Sequence, residues 1–310
     1  MHCNRAGNFI RQLAGFAVCL LLCSCGRERL TKKVLLIGLD GVRVDILAQA
    51  DTPNIDALMA DGSFSDQAQT RPPTVSGPGW SSMLIGVWSD KHLVTGNNFE
   101  GNAYSVYPDF LTRLEHVDPA FNTFAVVDWP PLGTTASGGP LISDAVDVKI
   151  NIDGDERGYT EADALSLAAA VAHLVSEDPD AAFVYLGDID VVGHDHSSLA
   201  PQYKAAIETA DGQVGQLLSA LQRRPTYSQE DWLIIVATDH GRTDEGGHGG
   251  TSPQEQTIFY LVSGQSTAKG TLIPAPNIVD VATTALAHLG VEMDPAWELD
   301  GTTRGLVHRD

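Results

Sequence analysis

Some apolar segments of the sequence end in Asp and His, residue types that can bind metal ions. Residues 232–240 read WLIIVATDH, so an apolar run rich in β-branched residues leads directly to Asp239 and His240. Such a run is typical of a buried strand in an α/β sheet, and open α/β sheets bind ligands at the carboxyl ends of their strands. Carboxylates and imidazoles gathered in one place resist desolvation unless a cation lies among them.

Two further apolar runs end in the same way. VLLIGLDG places Asp40 after its strand, and FVYLGDIDVVGH places Asp190 and His194 after its own. His248 follows His240 by eight residues and lies between two Gly-Gly pairs. A single Asp-His pair indicates little, but three such strand ends in one chain predict a metal centre.

A hydroxyl group that could attack a substrate lies in residues 70–92, TRPPTVSGPGWSSMLIGVWSDKH. Ser76 directly precedes Gly77-Pro78-Gly79, which predicts a turn that enters a short helix. Free N–H groups at the start of a helix bind anions, so the Ser76 hydroxyl would face a bound anion there. The alternative interpretation is that Ser76 only caps the helix.

These motifs resemble the alkaline phosphatase superfamily, in particular its type I phosphodiesterase/nucleotide pyrophosphatase branch. That branch carries a nucleophilic hydroxyl residue, then x-Pro, an apolar helix ending in Gly, and an aromatic-x-acid-x-His string. The matching residues are Ser76, Pro78, Gly86, Trp88, Asp90 and His92. Its other motifs match Asp40-Gly41, Asp190 to His194, Thr238 to Gly241 and His248-Gly249. The resemblance runs in the right order from about residue 33 to 263.

The resemblance implies a phosphoric ester hydrolase with two metal ions per chain, usually zinc, although other divalent metals are possible. The implied ligands of one ion are Asp190, His194 and His248, and those of the other are Asp40, Asp239, His240 and the nucleophile Ser76. Coordination lowers the pKa of a hydroxyl, which a serine needs because it is a poor nucleophile at neutral pH. Nitrogen and oxygen ligands with open positions suit catalytic zinc.

Some departures from the family pattern leave alternatives open. Family members more often use Thr as the nucleophile, so Thr74 is a fallback, although the spacing to Gly86 favours Ser76. The family's diesterases typically carry Asn three residues after the nucleophile, where this chain has Gly79, so the preference for diesters is open. An arylsulfatase or phosphonate hydrolase on the same scaffold is one alternative, but Trp80 occupies the position of a sulfatase Arg. A non-catalytic metal-binding lipoprotein is another.

Strand-like and helix-like segments alternate along the chain. We predict strands near 33–39, 123–127, 182–187, 232–238 and 257–263, and helices near 53–61, 107–116, 160–177, 199–223 and 277–289. This alternation predicts an α/β fold with a doubly wound, mostly parallel central sheet, helices on both faces and a minimal lid. Residues 128–158 are rich in Pro, Gly and Asp without clear periodicity, which favours a lid or an active-site loop.

The first 24 residues have the composition of an export signal. Arg5 and Arg11 precede an apolar core at 13–22 that is too short for an ordinary transmembrane helix. Leu22-Cys23-Ser24-Cys25 then resembles a bacterial lipobox, in which the last Cys is lipidated after cleavage. A generic secretory signal with incidental cysteines is the alternative.

The lipobox implies a lipid anchor at Cys25, a tether over 25–32 and a catalytic domain over 33–310. Because Gly26 rather than Asp follows Cys25, the usual sorting rule favours the outer membrane of a bacterial cell envelope, with the protein facing the periplasm. All four cysteines lie at or before Cys25, so the exported body has no disulfide and no thiolate ligand.

The charge of the chain argues against nucleic acid as a partner. The formal net charge is −21, and cleavage would remove Arg5 and Arg11 but no acid, which leaves −23. Phosphate backbones are bound by stripes of Lys and Arg that this sequence lacks. The expected partners are therefore a small-molecule phosphoric ester and, through the lipid anchor, a membrane.

Overall fold

Within residues 1–2 and 30–307, which the computed structural model describes, eight strands form one sheet. The strands are β1 (Thr31–Leu39), β2 (Ser63–Gln69), β3 (Thr123–Val127), β4 (Val148–Asn151), β5 (Ala181–Leu186), β6 (Glu230–Ala237), β7 (Thr257–Ser263) and β8 (Gly270–Thr271). Their order across the sheet is β4-β3-β5-β1-β6-β7-β2-β8. Only β7 runs antiparallel to its neighbours in this sheet. The prediction of a mostly parallel sheet is confirmed.

Helices cover both faces of the sheet. They are α1 (Val44–Leu47), α2 (Pro53–Asp61), α3 (Ser76–Ile85), α4 (Ser89–His92), α5 (Phe110–Val117), α6 (Pro130–Gly133), α7 (Gly154–Arg157), α8 (Tyr159–Ser176), α9 (Asp188–His196), α10 (Pro201–Gln222), α11 (Pro253–Gln256) and α12 (Asp280–His288). Helices α2, α8 and α10 pack on one face, and α3, α5 and α12 pack on the other. No helix among the described residues is long and apolar enough to cross a membrane.

The central position of β1 explains its continuous apolar sequence. It pairs in parallel with β5 on one side and with β6 on the other. Leu35 and Ile37 point to the core under α8 and α10, whereas Val34 and Leu36 point to the core under α3 and α12. A strand covered on both faces needs apolar residues at every position, and it therefore shows no alternation with polar residues.

The five predicted strands and five predicted helices lie at their predicted places, and so does the short helix at Ser76. Strands β2, β4 and β8, helix α9 and the four-residue helices α1, α4, α6, α7 and α11 were missed. The missed strands are short or polar and lie toward the edges of the sheet, where fewer apolar residues are needed. The interpretation of 128–158 as loop was wrong in part, because β4 lies within it and pairs in parallel with β3. The N-terminal signal, Cys25 and most of the proposed tether lie outside the described residues.

A buried histidine ties the segment after α4 to helix α3. The Nδ1 atom of His92 accepts a hydrogen bond from the Val94 N–H at 3.1 Å, so its proton is on Nε2, which donates to Ser82 Oγ at 3.0 Å. His92 has no exposed surface, and burial lowers its pKa from 6.5 to about 4. The folded protein therefore holds this imidazole neutral.

Gly38 on β1 is required by the indole of Trp80. A Cβ atom at Gly38 would lie 2.6 Å from Trp80 Cζ3. We expect Gly38→Ala to lower the free energy of unfolding by about 1–3 kcal/mol, because overpacking forces a buried side chain to move. Urea unfolding measures this change. Gly212→Ala in α10 is the control, since a Cβ there meets no atom within 4 Å and is expected to be neutral or to stabilise by up to about 1 kcal/mol. Equal effects of the two substitutions would contradict the steric argument.

The His92 side chain should make stability fall in acid. An unfolded histidine takes up its proton near pH 6.5 and the folded one only near pH 4, so the unfolded state binds more protons between these values. We expect the stability advantage of the wild type over His92→Asn to shrink by about 3 kcal/mol as the pH falls from 7 to 4. Urea unfolding at several pH values gives this difference, in which effects common to both proteins cancel. A pH-independent difference would exclude the effect.

Candidate active site

Three adjacent strands bring the predicted ligands to one edge of the sheet. Asp40 directly follows β1, Asp239 and His240 follow β6, and Asp190 lies in the first turn of α9 just after β5. Because β5, β1 and β6 are neighbours and parallel, their carboxyl ends meet. Ser76 is the first residue of α3 and approaches the same edge from the α3 face.

The imidazole of His240 lies at the centre of one group of ligand atoms. Its Nε2 atom is 3.5 Å from Asp40 Oδ1, 3.4 Å from Asp239 Oδ2 and 3.2 Å from Ser76 Oγ. All four side chains are buried. The structure therefore brings together the four residues that the resemblance assigned to one ion.

Each carboxylate of this group has one oxygen bound by the protein and one oxygen without a partner. Asp40 Oδ2 accepts hydrogen bonds from Trp80 Nε1 at 2.9 Å and from Tyr185 OH at 2.6 Å, and Asp239 Oδ1 accepts from Gly41 N–H at 3.1 Å. The other oxygens, Asp40 Oδ1 and Asp239 Oδ2, are buried without a hydrogen bond. These are the two oxygens that face His240 Nε2. Buried polar atoms are normally satisfied, so this pair fits a cation between them.

The histidine tautomers also fit metal binding. The Nδ1 atoms of His240 and His248 lie 3.0 Å from Gly241 O and 2.8 Å from Thr74 O, respectively. A carbonyl oxygen only accepts, so both Nδ1 atoms carry the proton and both Nε2 lone pairs face the site. A hydrogen bond from the distal ring nitrogen is the usual way in which proteins orient metal-binding histidines.

The second predicted group, Asp190, His194 and His248, is also assembled. His194 Nε2 lies 3.3 Å from Asp190 Oδ2 and 3.0 Å from His248 Nε2, and His248 Nε2 lies 3.6 Å from Asp190 Oδ1. His240 stacks on His248 with ring centroids 3.8 Å apart, and its ligand atom lies within 4.8 Å of those of Asp190 and His248 as well. The two groups therefore adjoin at His240. The His194 side chain is 48% exposed, so this group opens to solvent.

Burial disfavours the charged forms of these groups. Burial and the nearby Asp190 carboxylate raise the pKa of Asp40 to about 7, and burial together with Asp40 raises the pKa of Asp239 well above its usual value. Burial and His248 lower the pKa of His240 well below its usual value. A divalent cation would reverse this balance for the carboxylates, since an opposite charge at short range favours their ionised form.

The sequence analysis overlooked Arg242, which is fully buried beside the ligands. Its guanidinium donates to Asp190 Oδ1 and to Gly246 O. Burial opposes ionisation of Asp190, but the hydrogen bond to His194 and the charge of Arg242 outweigh it and lower its pKa. Arg242 directly follows Asp239-His240-Gly241, and this adjacency was the available signal. A guanidinium has no lone pair to offer a metal ion, so a search for ligands passes over it.

The Ser76 hydroxyl is free to face the site, because Val75 occupies the N-cap position of α3. The interpretation of Ser76 as the helix cap is therefore wrong. The Thr74 hydroxyl has a different environment, since it donates to Gly250 O at 3.1 Å and accepts from Gly249 N–H at 3.0 Å. Together with the bond from His248 to Thr74 O, these contacts hold the loop that carries His248.

The structure explains Gly79 and identifies an asparagine that was missed. A Cβ atom at Gly79 would lie 2.9 Å from Asp239 Cβ, so any side chain there, including Asn, would collide with a ligand residue. The amide of Asn97 lies on the other side of the helix start, where its Oδ1 accepts from Gly77 N–H at 2.8 Å. Asn97 lies 20 residues from Gly77 in sequence, so short-range spacing did not reveal it.

Comparisons with known proteins find the family whose motifs these residues resemble. The sequence model of the family described as type I phosphodiesterase/nucleotide pyrophosphatase matches residues 34–251. Human ectonucleotide pyrophosphatase/phosphodiesterase family member 7 is 25% identical over 223 residues, which cover 68% of this chain and 48% of that protein. Mouse GPI ethanolamine phosphate transferase 1 is 24% identical over 258 residues, 75% of this chain and 26% of that protein. The chain thus spans about half of the first relative and about a quarter of the second.

Solved structures show the same fold at low sequence identity. An inactive form of murine ectonucleotide pyrophosphatase/phosphodiesterase 5 in complex with AMP has a TM-score of 0.65 at 15% identity, covering 84% of this chain and 96% of that one. A putative sulfatase from Bacteroides thetaiotaomicron VPI-5482 has a TM-score of 0.69 at 13% identity, covering 88% and 73%. The predicted alkaline phosphatase-like fold is confirmed. Because the sequence model of the type I phosphodiesterase/nucleotide pyrophosphatase family matches most of the length of this chain, the chain belongs to that family.

Proposed function

We propose that the protein is a zinc-dependent hydrolase of phosphoric esters with Ser76 as its nucleophile. The observation that carries this proposal is the pair of buried, unpaired oxygens on Asp40 and Asp239, which converge with Ser76 Oγ on His240 Nε2. Neutral imidazole and carboxylate donors are the ligands that catalytic zinc takes, and three imidazoles disfavour calcium.

The two ligand groups would hold two ions per chain. The residues that would hold them are Asp40, Asp239, His240 and Ser76 for one ion, and Asp190, His194 and His248 for the other. When bound, zinc would lower the pKa of the serine hydroxyl and of an attacking water, and would take up charge on the leaving oxygen.

The chain's own groups account for the remaining steps. Ser76 Oγ loses its proton and forms a bond to phosphorus, while the bond from phosphorus to the leaving-group oxygen breaks and that oxygen takes up a proton. Water then attacks phosphorus and loses a proton, the bond from phosphorus to Ser76 Oγ breaks, and the phosphoryl product leaves as Oγ regains its proton. Asn97 has Oδ1 engaged by Gly77 N–H, so its NH2 group remains to donate to a phosphoryl oxygen beside Ser76. This amide would take the role that the family pattern assigned to the position of Gly79.

The substrate class is a small-molecule phosphoric ester. The AMP complex of the murine relative supports a nucleotide-like ester, whereas the fold shared with a putative sulfatase keeps sulfate or phosphonate esters as the second candidate. Rates on nitrophenyl phosphate, bis(nitrophenyl) phosphate and nitrophenyl sulfate, measured side by side, would distinguish monoesterase, diesterase and sulfatase activity. Zinc binding without turnover of any of them would favour a non-catalytic protein.

The position of Thr31, the first residue of β1, also bears on the proposed lipid anchor. Strand β1 runs from Thr31 to Leu39, so Thr31 and Asp40 lie at opposite ends of the sheet, about 30 Å apart at the rise of an extended strand. A tether from Cys25 would therefore join the end opposite the ligands. We propose that the protein is anchored in the outer membrane through Cys25, with the ligand edge facing away from the membrane into the periplasm.

Two hydroxyl variants test the nucleophile. We expect Ser76→Ala to lower turnover by about a hundredfold or more, because it removes the covalent route. Thr74→Ala loses only hydrogen bonds within the loop, worth about 1 kcal/mol, and should lower turnover by about fivefold. Turnover of one phosphate ester and zinc content by elemental analysis are measured on each purified variant.

The zinc content makes each result interpretable. We expect about two ions per wild-type chain and nearly as much in Ser76→Ala, since six side-chain ligands remain. If Thr74→Ala is inactive and Ser76→Ala nearly normal, Thr74 is the nucleophile. If both variants stay active with zinc bound, a covalent intermediate is excluded. One ion or none in zinc-replete wild type would overturn the two-metal proposal.

The lipid anchor is tested separately by Cys25→Ser. We expect this variant to lose labelling by a radioactive or alkyne fatty acid and to leave the membrane fraction, because Cys25 is the only cysteine that remains after cleavage. Cell fractionation and labelling measure both effects, and turnover of the released protein should be unchanged. Unaltered fractionation would refute the anchor but not the hydrolase.

A further inference from the structure

Two aromatic side chains donate hydrogen bonds to the same oxygen of Asp40. Trp80 Nε1 and Tyr185 OH both donate to Asp40 Oδ2, at 2.9 Å and 2.6 Å. Both side chains are buried, and neither belongs to the residue types that usually bind zinc, which are Cys, His, Asp and Glu. Their polar atoms are thus committed to a single carboxylate oxygen.

The packing fixes these two donors in place. The rings of Trp80 and Tyr185 meet edge to face with centroids 5.1 Å apart, and the Phe183 ring also packs against Trp80 with centroids 5.9 Å apart. Gly38, which pairs with Tyr185 across β1 and β5, leaves the room that the indole occupies. The donors cannot turn away from Asp40 without disrupting this block, because the core has no space for another rotamer.

The consequence concerns how Asp40 can bind an ion. A free carboxylate can coordinate through one oxygen or through both. Two donors occupy Oδ2, so Oδ1 is the oxygen left for a cation, and it is the one that lies unpaired 3.5 Å from His240 Nε2. Asp239 is restricted in the same way by Gly41 N–H.

We propose that Trp80 and Tyr185 are positioning residues that restrict Asp40 to one metal-binding oxygen and thereby keep a coordination position open for Ser76. One atom each from Asp40, Asp239 and His240 leaves the fourth position of a tetrahedral zinc ion to the serine. A second oxygen from Asp40 would compete for that position. This inference rests on the proposed metal-dependent function.

Tyr185→Phe is the most selective test, because it removes one donor and keeps the ring. Trp80→Phe removes the other donor. Phe124→Leu is the matched control, since it truncates another fully buried aromatic ring but in the core on the opposite face of the sheet, away from Trp80 and Tyr185. Zinc affinity is measured by competition with a chelator, and the visible absorption of the cobalt(II) form reports the coordination number.

We expect Tyr185→Phe and Trp80→Phe to lower the affinity for one of the two zinc ions by about 10- to 100-fold, as is usual when a group that orients a metal ligand is removed. The cobalt(II) absorption should also become weaker, because a second Asp40 oxygen raises the coordination number. Phe124→Leu should lower stability yet leave zinc affinity and the cobalt(II) spectrum unchanged. If wild type binds no metal, the proposed function itself fails. If wild type binds metal but Tyr185→Phe has the same zinc affinity and spectrum, or if Phe124→Leu shows the same loss of affinity, the positioning role is refuted.

Discussion

The crowding of three carboxylates at one edge of the sheet is the constraint on which the rest of the structure depends. Asp40 and Asp239 are buried, the Asp190 side chain beside them is 16% exposed, and among the described residues only Arg242 donates to one of the three as a charged group. Protein interactions satisfy one oxygen of Asp40 and one of Asp239, and leave the others unpaired. Such an arrangement costs stability in the absence of a cation, which agrees with the proposed metal centre.

These charged side chains can crowd together because glycines let the backbone of neighbouring elements come close to them. Gly79 allows α3 to contact Asp239, so that Ser76 comes within 3.2 Å of His240 Nε2. Gly193 gives room to the buried guanidinium of Arg242, since a Cβ there would lie 2.5 Å from its Nε atom. A site with many charged groups in a small volume therefore depends on glycines as much as on the ligands, because each ligand must be reached by a neighbouring element.

The sequence predicted the fold, and the meeting of the proposed ligand residues at one place, because both depend on local patterns. Apolar runs that end in Asp or His mark central parallel strands, and parallel strands place their ends together. The groups around the ligands were not predicted, since their contacts join distant parts of the chain. Tyr185 and Asp40 are 145 residues apart, and neither the strand that contains Tyr185 nor the helix that contains Trp80 shows which way its polar atom points. Short, polar edge strands such as β4 were missed for a related reason, because their pairing depends on a neighbour rather than on their own sequence.

The orientation of Trp80 bears on the choice between phosphoric and sulfuric esters. In the sulfatase pattern this position carries Arg, whose charge could reach a bound anion. Here the residue is an indole with no exposed surface, and its N–H donates to Asp40 rather than to the space in front of Ser76. A substrate oxygen would instead meet the Asn97 amide and the start of α3. The fold alone fits both chemistries, but the Trp80 N–H is bonded to Asp40 and does not face a substrate, and that arrangement favours the proposed phosphoric ester.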